Sequence, residues 1–160
     1  MYYFRLRKGL DPKNLVGSFV TNTNPHYSKE CATGAQFETG TVIAGVVHDA
    51  PRTATWLQGA PVDLNTPVGT MVARGWIDGK YPNLPESAFT SGDIINHVGI
   101  YIGPGPSPGS ILVLDQMPDE GGSLSIRPYQ QSKGNWSIVI SSQQYDRQPS
   151  TSALTTKPVQ

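Results

Sequence analysis

The chain has 160 residues, 37% hydrophobic and only 15% charged, with a formal net charge of zero. That length suits one domain with a proper core, and a neutral chain with no basic stripe excludes nucleic acid or a membrane surface as an electrostatic partner. One cysteine excludes an internal disulfide and leaves a free thiol, while 17 glycines and 14 prolines require many turns.

From the N-terminus, MYYFRLRKGLDPKN has no apolar stretch behind a basic one. It does not read as a cleaved secretory signal, so synthesis is expected in the cytoplasm and action elsewhere needs another route. The first 25 residues read as irregular, with GSFVTNTNPHY (17–27) as loop. SKECATGAQFETG (28–40) predicts a short helix, with Ser28 as its N-cap and Gly40 just past its end. Thr33 and Gly34 are weak helix formers, so this helix needs close packing against a neighbour. TVIAGVV (41–47) fits a strand or a helix extension. It holds the longest apolar run, far short of a membrane span.

APRTATWLQGAPV (50–62) reads as a helical turn between loops, with Trp56 as a candidate cleft residue. Strands are predicted at 67–75, 95–102, 111–116, 122–127 and 136–145. Hairpin connections would join them into an antiparallel sheet. A helix early and strands late is an α+β pattern. Residues 1–147 are expected to form one domain, and the polar, Pro/Ser/Thr-rich 148–160 a disordered tail.

Three residues carry candidate chemistry. Cys31 falls in the first turn of the predicted helix, where free N–H groups and the macrodipole favour an anion. Such a place suits a thiolate nucleophile, and the same N–H groups can hold a developing oxyanion. The plainer alternative is a buried structural cysteine. His97 opens the apolar strand NHVGIYIG, sharing one face with Gly99 and Tyr101 while Val98, Ile100 and Ile102 face a core. Gly99 would leave room for the Cys31 helix to approach. For His97 alone, a satisfied half-buried histidine is the plainer alternative.

The following strand, ILVLDQ, supplies a third group. A hairpin folded about GPGPSPGS (103–110) sets Ile102 against Ser110 and His97 against Asp115, about 4.5–5.5 Å apart at Cβ. A register slip of two would make that contact diagonal. Gln116 points to the other face unless a bulge intervenes, so it remains the competing third residue. Nucleophile, base and orienter then run in the order Cys31, His97, Asp115. His26 reads as a turn residue, and His48–Asp49 as neighbours that rarely aim at one point. No Cys/His cluster has metal-ligand spacing and no glycine-rich phosphate loop is present, so neither metal nor cofactor is expected.

NHVGIYIG resembles the histidine strand of NlpC-type and CHAP-type cell-wall peptidases, and ILVLDQ resembles the CHAP strand with the acidic orienter. The ordered set KECATGAQF, APRTATWLQGAPV, GTMVARGWIDGKYPN, NHVGIYIG, ILVLDQM and IRPY is similar to a type VI secretion amidase effector family, across residues 17–145. The resemblance implies a papain-like (NlpC-type) fold, in which an N-terminal helix bearing the cysteine packs on an antiparallel sheet or half-barrel. It implies a cysteine amidase cutting peptidoglycan stem peptides or cross-links, with Cys31, His97 and Asp115 as its catalytic residues. It further implies an antibacterial effector, exported to a target cell wall, with secretion machinery and a cognate immunity protein as partners. This chain departs from the family in the weak helix after Cys31, in about nine residues inserted before APRTATW, and in NHVG where many relatives have His-Ala-Ala. Two alternatives are a non-catalytic wall-binding or phage-structural module of the same fold, and a thiol hydrolase acting on a protein or acyl substrate.

Overall fold

Local chemistry sets several elements directly. Asp11 caps the first helix by accepting from the Lys13 N–H at 3.0 Å, and Pro12 occupies its first position, where a missing N–H costs nothing. In the computed structural model, which describes residues 1–82, 94–117 and 122–156, the elements run in order. They are β1 (Tyr2–Tyr3), α1 (Pro12–Leu15), β2 (Phe19–Asn22), α2 (Cys31–Glu38), β3 (Thr41–Ile43), β4 (Val46–His48) and a 3-10 turn at Thr53–Thr55. Then follow β5 (Leu57–Pro61), β6 (Met71–Arg74), β7 (His97–Pro104), β8 (Ser110–Gln116), β9 (Leu124–Gln130), β10 (Ser137–Ser141) and β11 (Ser152–Thr155). The fold is α+β and mostly antiparallel sheet.

The main sheet runs β9–β8–β7–β6–β10. Ser137 pairs with both Ala73 and Pro61, and Ile140 with both Tyr3 and Leu57. Strand β10 therefore has β6 and β1 along one edge and β5 along the other. Alternation along β7 divides the apolar residues between two cores. Val98 and Ile100 join Leu114, Met71, Ala73, Phe4, Trp56 and Ala35 of α2 in one. Tyr101 joins Val62, Val72, Ile111, Val113 and Trp136 in the other. Each fully buried Val, Ile or Leu contributes roughly 1.5–3 kcal/mol.

Helix α2 begins two residues later than a cap at Ser28 would set it. Glu30 occupies the N-cap without a side-chain bond, while Ser28 Oγ instead accepts from the Asn22 N–H at 3.2 Å. What secures this weak helix is Gln116. Its Oε1 accepts from Val20 N–H at 2.9 Å, and its Nε2 donates to Val20 O at 3.3 Å and Glu30 O at 2.7 Å. Gly34 makes the approach possible, because a Cβ there would stand 2.9 Å from Gln116 Cδ. TVIAGVV proves to be neither one strand nor a helix extension. It is the β3–β4 hairpin, turned by Ala44 and Gly45 at φ of 50° and 80°.

The expected disordered tail needs correction. Residues 152–155 form β11, paired with β2 from Ser152↔Asn22 to Thr155↔Phe19, and Leu154 packs on the first core. The strand covers an edge of β2 that would otherwise expose unpaired backbone groups. The end of that tail, 157–160, lies outside the described residues. The first 25 residues, read as irregular, also hold β1, α1 and β2. No helix among the described residues is long and apolar enough to cross a membrane.

Candidate active site

Cys31 is the first residue of α2 and His97 the first of β7. They meet at the end of the sheet rather than across its face. Helix α2 packs in the core with Val98 and Ile100, on the apolar face of β7. The space beside Gly99 serves a different neighbour, since a Cβ there would lie 2.5 Å from Val113 Cγ1 and 3.1 Å from Asp115 Cβ. The glycine thus admits strand β8, not the helix.

The register explains how. Ile100 pairs with Leu114 and Tyr101 with Val113, two residues from the hairpin expected on symmetry, and a bulge follows between Tyr101 and Gly103. Continued toward His97, that register places Gly99 across from Asp115, so the imidazole reaches the carboxylate diagonally. His97 Nε2 lies 2.8 Å from Asp115 Oδ2. Both are buried, at 5% and 2% exposure. Gln116 points the other way and holds α2, as above.

Asp115 has further partners from β9. The Tyr129 hydroxyl donates to Oδ2, the oxygen His97 also uses. Arg127 Nη1 stands 3.4 Å from Oδ1. Arg74, opposite His97 on β6, lies over the rings of Tyr129 and Trp136 at 5.3 and 5.7 Å. Trp136 stands nearly perpendicular to the imidazole, ring centres 6.2 Å apart.

His97 also has the partly buried Cys31 as a neighbour, close enough for the thiol to act on the imidazole's titration. With Nε2 taken by Asp115, Nδ1 is the nitrogen left for sulfur. Burial pushes the imidazole down, but the hydrogen bond to Asp115, the neighbouring Cys31 and the charges of both outweigh it, holding His97 up at about 9. Tyr81 flanks the same thiol. Burial together with the sulfur raises its hydroxyl well above the ordinary phenol range, with the Asn96 side chain acting the other way. Its ring is wedged between Trp56 and Trp76, at 5.0 and 5.9 Å.

The arrangement can deliver a sulfur nucleophile, a proton at Nδ1 and a carboxylate that fixes the ring. Tyr129 and Arg127 were legible by extending strand parity one strand further, because Asp115 pairs with Ser125 and positions 125, 127 and 129 share its face. Tyr81, in the loop GKYPN, gives no periodic signal. The other sequence candidates lie elsewhere. His48 Nδ1 bonds Asp146 O at 2.9 Å, His26 is exposed, and Trp56 is core, 1% exposed, with its Nε1 donating to Pro51 O. A cavity of about 640 Å³ opens at the far end of β7, lined in part by Asp63, Tyr101, Ser107 and Gln131, and holds none of the three residues. Among the described residues no three His, Cys, Asp or Glu gather as a metal ion would require.

Compared with known proteins, the chain matches no protein family and no curated sequence. Among solved structures it is similar to type 6 secretion amidase effector 2 (Tae2), with 26% identity over 58% of this chain and 74% of that chain, at a TM-score of 0.44.

Proposed function

We propose that the protein is a papain-like cysteine amidase that hydrolyses an amide bond in the peptide part of bacterial peptidoglycan. The observation that carries the chemistry is one buried imidazole bonded to Asp115 through Nε2 with the chain's only thiol, Cys31, as its neighbour. Cys31 sulfur attacks the amide carbonyl, and the free N–H groups of the first turn of α2 receive the negative oxygen. His97, protonated at neutral pH, gives its proton to the departing amine as the C–N bond breaks. Water then attacks the thioester, His97 takes its proton, and the acid leaves as the C–S bond breaks, which restores the sulfur anion beside the protonated imidazole. Asp115 holds the ring in the orientation both steps need.

The substrate class rests on the ordered resemblance to type VI amidase effectors. On that basis the protein is an antibacterial effector, made in the cytoplasm and acting on the wall of a target cell, with delivery machinery and an immunity protein as partners. Purified peptidoglycan incubated with wild type and Cys31→Ala, then resolved by mass spectrometry, tests both halves. Wild type should release cleaved stem peptides or cross-links, and the alanine variant none at an unchanged melting temperature. Full turnover by Cys31→Ala removes the mechanism. Cys31-dependent hydrolysis of model thioesters with the wall left intact would instead favour a protein or acyl substrate.

A further inference from the structure

A single carboxylate oxygen, Asp115 Oδ2, serves two donors. His97 Nε2 approaches it from β7, and the Tyr129 hydroxyl from β9. A carboxylate that accepts a second hydrogen bond has its charge partly satisfied and attracts its first partner less. Tyr129 is also firmly placed. Its ring packs 4.9 Å from Trp136 and 6.0 Å from His97, under the guanidinium of Arg74. The hydroxyl is therefore aimed at Asp115 by three neighbours on three different strands or their ends.

We propose that Tyr129 is a positioning residue that tunes His97 through Asp115, sharing Oδ2 so that the imidazole is less basic than a bare aspartate would make it. The importance of this tuning rests on the reading of His97 as the proton donor, although the effect on basicity does not require any reaction. The charged and titratable groups around the imidazole come from every packed element. They are Cys31 of α2 and Tyr81 beyond it, Asp115 of β8, Tyr129 and Arg127 of β9, and Arg74 of β6. Glu38, at the end of α2, acts on Asp115 by charge. Of these, Tyr129 alone bonds the same oxygen as His97.

The two roles open to Tyr129 differ in sign. If it only packs, loosening it weakens the Asp115–His97 contact and the imidazole midpoint falls. If it shares Oδ2, deleting its hydroxyl returns charge to His97 and the midpoint rises. Nuclear magnetic resonance titration of the assigned His97 imidazole, in wild type and Tyr129→Phe, separates them. The expected result is a rise of about 0.5–1 pH unit in Tyr129→Phe, with the melting transition still cooperative and Asp115→Asn moving the midpoint down. An unchanged or lowered midpoint in Tyr129→Phe overturns the proposal. The alkaline limb of kcat/KM, measured alongside, should move with the resonance. A raised midpoint with an unmoved limb would sustain the tuning and remove His97 from the reaction.

Discussion

Glu38 ends α2 with 1% of its surface exposed and with its Oε1 lacking a hydrogen-bond partner among the described residues. Burial pushes its carboxyl up to about 8, against the opposing charge of Arg7 and with that of Asp115 adding. A carboxyl raised in the folded state gives stability that is complete below its unfolded value of 4.5 and lost as pH climbs through 8. His97 acts with the same sign over a higher window, from its unfolded 6.5 to about 9. At pH 7.5 folding must return a proton to Glu38, at a cost on the order of 3 kcal/mol. Glu38→Gln should therefore stabilise the protein by about 1–3 kcal/mol at pH 7.5 and by little at pH 4.5. Urea unfolding at both pH values checks this, and a difference that does not vary with pH would count against a neutral buried Glu38. Nothing in the sequence marks this residue, because a glutamate in a short helix ordinarily faces water.

Helix α2 and hairpin β7–β8 depend on two residues whose neighbours are remote in sequence. Gln116 supplies three hydrogen bonds to Val20 and Glu30, two of them buried, so Gln116→Ala strands the backbone groups it served. We expect a loss of about 2–4 kcal/mol, against no change for the exposed Gln144→Ala. Chemical denaturation of the pair is the measurement, and equal stabilities would mean that α2 is held by packing alone. The sequence located His97 and Asp115 on adjoining strands because alternation and loop position are local properties. It misplaced their register by two because β7 runs on to Pro104, so the turn centres further along the run of glycines and prolines than its middle, and the bulge after Tyr101 takes back only one residue of that offset. It also assigned the space beside Gly99 to the helix, since the identity of a close neighbour is a tertiary fact.

Across the whole molecule, the candidate site draws on positions 31, 97, 115 and 129 from α2, β7, β8 and β9. The antiparallel α+β character was legible, but not the two strands, β1 and β2, that precede α2. The pairings that close the sheet were not, because β10 meets β1, β5 and β6 across long stretches of chain with no hairpin between them. The same blindness hid β11, a polar strand whose pairing partner lies near the opposite end of the sequence. The proposed function leads to a prediction at this scale. Expression in a bacterial cytoplasm should be tolerated, whereas fusion to a secretory signal should cause lysis that Cys31→Ala abolishes. Culture turbidity and the muropeptides of the lysed walls are the readouts. Death from the cytoplasm with intact walls would transfer the substrate to the interior of the cell.

Cys31 is the chain's sole sulfhydryl and sits partly buried beside His97. Every equivalent of a thiol reagent the native protein consumes is therefore consumed at the candidate site, so simple titration counts competent molecules with no background from other cysteines. Oxidation has an equally narrow outcome. The one disulfide this chain can make with its own kind joins two copies at their sites and occupies both sulfurs at once, and a reductant would release both together.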